Sequence, residues 1–443
     1  MRVVASAPVH RGMEKLDKDA FRSSVEVLAV QVDPPVTHHV LKAPAMRGKP
    51  ADLSAETKQF LNSYSASFTR YKIDFDYDYW TADDILSSIL PEDMVDEAPC
   101  GFAMVGHIAH MNIIPEYLPY KYIIGQVILD KNHGVKTVVN KLESISNQFR
   151  VFQMELLAGE PKYVVEHHEA NCSFTFDFTA VYWNSRLHTE HARLVEQFTP
   201  EDVVADVFAG IGPFALPAAK KGCAVLANDL NPESYKYLQQ NIVNNRVCVR
   251  QLDVFESMFT EDLPTQVQSL VRASCEDGRE FIRKVITRVL DDTLPPPHVP
   301  STKSQIVKAQ RAARKEGLPR PDNTQAQPEG TKRDRITQFV MNLPDSAITF
   351  LDAFRGVLSP QNNDGRDLSG VYGGDNLPTV HCYCFSKGKD LDEAEKDIRE
   401  RVEEKIGHPL GGDVSLHWVR SVAPNKEMYC VSFKLPRDVA FGS

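Results

Sequence analysis

Asp206-Val207-Phe208-Ala209-Gly210-Ile211-Gly212 is the stretch of this chain whose residue types and spacing best suit chemistry. A hydrophobic run carries an acid at its end and meets Gly-x-Gly just before a helical pattern. Open α/β sheets bind ligands beyond the carboxyl ends of their strands, and glycines let backbone approach a ligand with no Cβ in the way. A dinucleotide fingerprint asks for a third small residue three positions after the second glycine, and Ala215 supplies it. The motif alone therefore leaves a nicotinamide dehydrogenase open. Two features oppose that reading. Asp206 stands four residues before Gly210, where a carboxylate repels a pyrophosphate but suits a cationic amino-acid group. Pro213 opens the following helix and removes one of the N–H donors that anions use.

Asp229 lies nineteen residues after Gly210, at the end of the next apolar run, the place of a carboxylate that accepts from ribose hydroxyls. Asp253 ends a third run, where a carboxylate can accept from an adenine amine. Any one of these acids could be a helix cap or a loop charge. Three at three successive strand ends point to S-adenosyl-methionine, which has no phosphate and carries a sulfonium. The cofactor-binding residues expected are Asp206, Phe208, Gly210, Gly212, Asp229, Leu230, Asp253, Val254 and Asn342. Asn342-Leu343-Pro344 follows a fourth apolar run. Its proline stiffens the turn, and its amide can hydrogen-bond the edge of a flat, flipped-out base. Asp345 stands where the related Asn-Pro-Pro-aromatic motif has a stacking ring, which argues against an adenine N6 or glutamine target.

Stepping along the chain, the elements that must hold these residues alternate between strand and helix from about residue 180. Strands are expected at 203–208, 224–227, 247–252, 336–341 and 379–385, and helices at 214–221, from Asn231-Pro232, at 346–358 and at 392–406. Such alternation makes a parallel sheet with crossover helices. Strands 414–420 and 428–435 look like an antiparallel pair at the sheet edge, and Asn184-Ser185 caps a helix running to 198. Upstream, 71–90 reads as a strand and then a helix capped at Thr81 or Asp83. Residues 96–178 read as mainly β, with strands near 122–129, 135–139, 149–156, 163–167 and 172–178. Phe174, Phe176 and Phe178 then share one face. The domains expected are 1–95, 96–178 and 179–443. A flexible insertion is expected at about 260–335, with a helix at 267–290 interrupted near Asp277-Gly278 and a Pro-, Gln- and Lys-rich tract at 295–330.

The chain has 443 residues, 42% apolar and 25% charged, the balance of a soluble protein of two or three domains. No run reaches the ~18 apolar residues of a membrane span. The net charge of −10 argues mildly against a nucleic-acid partner. Distribution matters more than the sum, and Lys303, Lys308, Arg311, Arg314, Lys315, Arg320, Lys332, Arg333 and Arg335 form a basic cluster. The closest cysteines, Cys382 and Cys384, suit one face of a strand better than a metal, and no metal site is expected. With no secretory h-region, reduced thiols and an intracellular home are expected. Acids among the basic residues of the N-terminus are unlike a mitochondrial presequence. The cytoplasm is the expected location, with the nucleus and mitochondrial matrix left open.

Tyr182-Trp183-Asn184-Ser185-Arg186-Leu187-His188-Thr189-Glu190-His191, then 206–214, then Asn342-Leu343-Pro344, strongly resemble the archaeal–eukaryotic tRNA (guanine-37 N1)-methyltransferases. Segments 106–112 and 152–160 add to the match, which covers roughly 71–255 and 336–435. The resemblance implies a class I (Rossmann-like) methyltransferase sheet with smaller N-terminal α+β RNA-recognition domains. It implies tRNA as partner, methylation at N1 of guanosine 37, and a monomer. Guanosine N1 is a poor nucleophile until its proton leaves, so a general base is needed, and Glu190 holds the matching position. Charge growing on O6 calls for a fixed cation, and Arg150 matches it. Asn342 and Pro344 would position the base, with Tyr182, Arg186 and His191 as substrate contacts. Glu190 lies four residues after Arg186 and three before Arg193, so an ordinary helix-surface ion pair competes with the catalytic reading. A methyltransferase acting on another RNA base or a protein amide, and a catalytically silent RNA-binding protein, are the alternatives.

Overall fold

The computed structural model describes residues 5–43, 55–95, 99, 101–142, 149, 151–250, 267–292, 294–297, 333–388 and 390–442. The chain forms two compact units, one of Met1–Ala103, Ile108–Lys141 and Glu155–Pro161, the other of Met104–His107, Leu142–Met154 and Lys162–Ser443. No helix among the described residues is long and apolar enough to cross a membrane.

The first unit holds β1 (Ser23–Gln31), α1 (Thr37–Lys42), α2 (Ala55–Ser63), β2 (Ser67–Phe75) and α3 (Ala82–Ile89), then the first residue of β3 (Ala103–Val105), β4 (Ile108–Met111), α4 (Lys121–Lys131), β5 (Thr137–Lys141) and all but the first residue of β6 (Met154–Gly159). β1 and β2 pair antiparallel, Ser23 opposite Phe75. Thr81 starts α3 through a reciprocal capping box with Asp84. The expected strand at 122–129 is instead α4. Ile123, Ile124, Val127 and Ile128 are buried along it, the spacing of a helical stripe, and an apolar run of that length does not by itself separate strand from helix. Gly125 decides the packing: a Cβ there would stand 2.6 Å from Cβ of Leu157.

The second unit opens with the hairpin β7 (Val164–Glu169) and β8 (Cys172–Asp177). Ala170 and Asn171 at its tip both have positive φ, the turn that matches strand twist. Phe174, Phe176 and Phe178 are buried on one face of it, as their alternation predicts. There follow α5 (His188–Glu196), β9 (Val203–Asp206), α6 (Ala215–Lys221), β10 (Ala224–Asn228), α7 (Pro232–Asn244), β11 (Cys248–Arg250), β12 (Val267–Ser269), β13 (Val271–Ser274) and α8 (Gly278–Asp291). The chain then runs through β14 (Gln338–Met341), β15 (Thr379–Ser386), α9 (Leu391–Ile406), β16 (Val414–Ala423), β17 (Lys426–Lys434) and α10 (Arg437–Phe441). Residues Ala347–Phe354, expected in an α-helix, form a 3-10 helix.

Seven strands make one sheet in the order β13-β10-β9-β14-β15-β17-β16. The first five run parallel and β17 is antiparallel to both β15 and β16. This is the class I methyltransferase sheet. Its strand order reverses between β9 and β14, the switch point where open α/β sheets bind ligands. Alternate residues such as Val203, Ala205, Phe339, Cys382 and Cys384 face a core shared with α8, Ala347–Phe354 and α9. By the period of two, Asp206, Val340 and Tyr383 face the other side.

One strand was misplaced by sequence reasoning. The third parallel strand is β13, not 247–252, and the helix expected to start at 267 starts at Gly278. Cys248–Arg250 pairs antiparallel with Val267–Ser269 in a separate ribbon. Both runs are apolar enough for a core strand. The deciding feature is α8, directly after β13, whose Phe281, Ile282, Val285, Ile286 and Val289 bury against the sheet. The tract at 298–332 lies outside the described residues. Arg333, counted in its basic cluster, is buried and donates to the carbonyls of Pro200, Gly222 and Pro295.

Candidate active site

Asp206 and Asn342 flank the switch point. In the register of β9 and β14, Val340 lies beside Asp206, and Asn342 follows two residues later. Asp206 is fully buried, and neither carboxylate oxygen has a hydrogen-bond partner among the described residues. Burial first, then the charge of Asp229, pushes its carboxyl well above the usual range, with the Phe208 amide opposing. An unpaired buried carboxylate is costly, and a cation placed against it would offset that cost. The Oδ1 of Asn342 is also buried and unpartnered among the described residues.

The turn after β9 is glycine because of its backbone. Gly210 and Gly212 have φ of +53° and +100°, the left-handed region that other residues avoid. A Cβ on Gly210 would meet nothing within 4 Å, so that glycine leaves open space, whereas one on Gly212 would stand 2.9 Å from Leu238. The Gly210 amide donates to Oδ2 of Asp229 at 2.8 Å, and the Asn231 amide donates to its Oδ1 at 2.9 Å. Burial raises the Asp229 carboxyl, and these amides and the Ser234 hydroxyl oppose it. A carboxylate offers about four acceptor sites, so these three donors leave room for another. Leu230 beside it is exposed, and Phe208 packs edge-on against Phe350. Asp253 and Val254 lie outside the described residues.

Asn228, buried and overlooked in the sequence, ties three strand ends together. Its amide donates to the carbonyls of Val207 and Glu276, and its Oδ1 accepts from the Ser274 hydroxyl and the Glu276 amide. The signal for the third strand end was Leu270-Val271-Arg272-Ala273 followed by Asp277-Gly278, with Asp277 capping α8 through the amides of Arg279 and Glu280. The Gly278 position lies against Phe208, 2.8 Å from where its Cβ would be.

Glu190 sits on α5 and is 4% exposed, so it is no helix-surface charge. Arg193 holds it with two hydrogen bonds of 2.7 Å, Nε to Oε2 and one guanidinium nitrogen to Oε1. The Tyr383 hydroxyl donates to Oε1 at 2.7 Å, and Nε2 of the half-exposed His417 lies 3.4 Å from Oε2. The ion pair to Arg193 that the spacing allowed is present, but buried, and Tyr383 was not singled out in the sequence. Pro344 is pinned to β15, its carbonyl accepting from the Phe385 amide at 3.2 Å.

The expected substrate contacts divide. Tyr182 is exposed, its ring 6.5 Å from that of Phe152, and Arg186 is exposed. His191 is instead turned inward: its Nδ1 lies 2.5 Å from Oε1 of Glu169 and its ring packs edge-on against Phe214. A contact from His191 to substrate would require that buried pair to open. Arg150 lies outside the described residues.

Residues 165–317 match the TRM5/TYW2 methyltransferase domain, and residues 82–162 match the TYW2 N-terminal domain. A tRNA (guanine(37)-N(1))-methyltransferase of Coprinopsis cinerea is 50% identical over 99% of this chain and 97% of its own length. The protein of that name from Saccharomyces cerevisiae is 42% identical over 87% of this chain and 74% of its own. A solved complex of aTrm5 with tRNALeu shares the fold, with a TM-score of 0.51 and 20% identity over 85% of this chain and 86% of that one. The chain belongs to the TRM5/TYW2 methyltransferase family, alongside relatives named tRNA (guanine(37)-N(1))-methyltransferase.

Proposed function

We propose that this chain transfers a methyl group from S-adenosyl-methionine to N1 of the guanosine at position 37 of tRNA. The observation that carries the reading is Asp206, a buried carboxylate with both oxygens unpartnered among the described residues at the sheet's switch point, inside a chain half identical to a protein named for that reaction. The residues present fit the cofactor. Asp206 would face its cationic end, the open space at Gly210 admits it, and Asp229 has room to accept from a ribose hydroxyl. When bound, the sulfonium supplies an electrophilic methyl group.

The chain's own residues have the other half of the chemistry to perform. Glu190 would accept the N1 proton, a contribution of typically ~10²–10⁴-fold. Arg150 would stabilise the charge that develops on O6. Asn342, with Oδ1 buried and unpartnered, would take the base edge, and Pro344 would stiffen that turn. Tyr182 and Arg186 lie exposed where an RNA can reach them. The test in cells is nucleoside analysis of tRNA after depletion of this protein. Loss of 1-methylguanosine from position 37, restored by the wild-type chain but not by Asp206→Ala, is expected. An unchanged level of the modified nucleoside would count against the proposal.

A further inference from the structure

Tyr383 is fully buried, on a strand covered on both faces. A buried tyrosine hydroxyl needs a partner, and this one donates to Oε1 of Glu190 at 2.7 Å across 193 positions of sequence. The bidentate Arg193 already takes one lone pair on each oxygen of that carboxylate. Tyr383 takes the second on Oε1. Among the described residues, Oε2 alone keeps a lone pair without a close donor, on the side where His417 Nε2 stands at 3.4 Å and the strand is half open to solvent.

The placement of Tyr383 also ties Glu190 to the loop that would hold a base. Met341 of β14 is opposite Cys382 of β15, so Asn342 and Tyr383 are the next residues along two adjacent parallel strands. Phe385, two positions on, binds the Pro344 carbonyl. Resting on the proposed function of this site, we infer that Tyr383 is a positioning residue: it fixes the Glu190 carboxylate in rotation, consumes Oε1, and leaves Oε2 as the atom that receives the N1 proton, from the His417 side. The proton would pass from N1 to Oε2, the N1 electron pair would form the new bond to the methyl carbon as the methyl–sulfonium bond breaks and leaves a neutral thioether, and the carboxylic acid would lose its proton to solvent on that same side.

The groups facing Glu190 are Arg193 from its own helix, Tyr383 and His381 from β15, His417 from β16 and Cys430 from β17. Burial pushes the Tyr383 hydroxyl well above its ordinary range, so it remains a donor throughout the working pH range.

The test is Tyr383→Phe in the full chain, which keeps the ring and removes the hydroxyl. The methyl-transfer rate in a single turnover is measured together with KM for tRNA and cofactor affinity. The expected result is a fall of about tenfold in rate with unchanged KM and cofactor affinity. No loss of rate, or a loss that comes with weaker tRNA or cofactor binding, overturns the positioning role. Glu190→Gln is run beside it: full activity there overturns the base reading itself, whereas an inactive Glu190→Gln with an unaltered Tyr383→Phe overturns only the inference about Tyr383. A melting curve on each variant separates folding from function.

Discussion

The guanidinium of Arg193 grips both oxygens of Glu190 at 2.7 Å, and this pair, three residues apart on one helix, is closed off on its inner side by Tyr383. The Arg193 proton is held more firmly than usual, first by that hydrogen bond. Removing one member of a buried pair leaves an uncompensated charge. Arg193→Met is expected to cost about 3 kcal/mol of folding free energy, measured by urea unfolding. A loss below about 1 kcal/mol would show that Glu190 finds water or another partner.

Glu190→Gln preserves shape and most hydrogen bonds while removing the proton acceptor. Turnover should fall by about 10²–10⁴-fold, with tRNA and cofactor affinities within about twofold. A large affinity loss with normal turnover would reassign Glu190 to binding.

Asp206 should behave as a group held at a cost until the cofactor arrives. Asp206→Asn is expected to raise the stability of the free protein by about 1–3 kcal/mol and to abolish measurable cofactor binding. In the wild type, the raised Asp206 carboxyl must ionise to meet a cation. Cofactor binding should then release a proton, and affinity should weaken as pH falls through that raised range. Calorimetry in buffers of different ionisation enthalpy reads the proton directly. No proton release and a pH-independent affinity would remove Asp206 from the site.

Asp229→Ala removes the acceptor of the Gly210 and Asn231 amides as well as the proposed ribose contact. The cofactor dissociation constant should rise by about 10- to 100-fold, equivalent to about 1.4–2.7 kcal/mol, with kcat at saturating cofactor much less affected. Unchanged binding would place the ribose elsewhere.

His381 is buried between Ser432 and Gln338, hydrogen-bonded at 2.7 and 3.1 Å. Burial first, then Arg193, lowers its pKa to about 4. The folded state therefore resists protonation that the unfolded chain accepts near pH 6.5. The neutral ring's contribution is fully present above that pH and is lost as pH falls toward 4, up to about 3 kcal/mol. His381→Gln should flatten stability across that window relative to the wild type. Parallel pH curves for the two proteins would contradict the burial argument.

The catalytic unit was legible in sequence because its signals are local. Asp206 through Gly212, the cap at Asn231-Pro232 and Gly222 after α6 each state their own geometry. What failed was choice between equivalent apolar runs. Residues 247–252 read as the third strand and 270–274 as part of a helix at 267–290, and only pairing with β10 and the helix behind it shows that the strand is 271–274. Ile123 to Ile128 failed likewise, because burial on a helix looks like a strand when few polar residues interrupt it. Tyr383 and His417 could not be found at all, since their roles depend on meeting Glu190 from strands about 200 residues away. A Tyr between two cysteines carries no mark of the carboxylate it serves.

The most direct measurement is transfer of a labelled methyl group to unmodified tRNA transcripts that differ only in G or A at position 37, followed by nucleoside analysis. N1-methylguanosine on the G37 transcript alone is the expected result. Transfer to both transcripts, to another nucleoside, or to neither despite tight cofactor binding would contradict the proposed reaction.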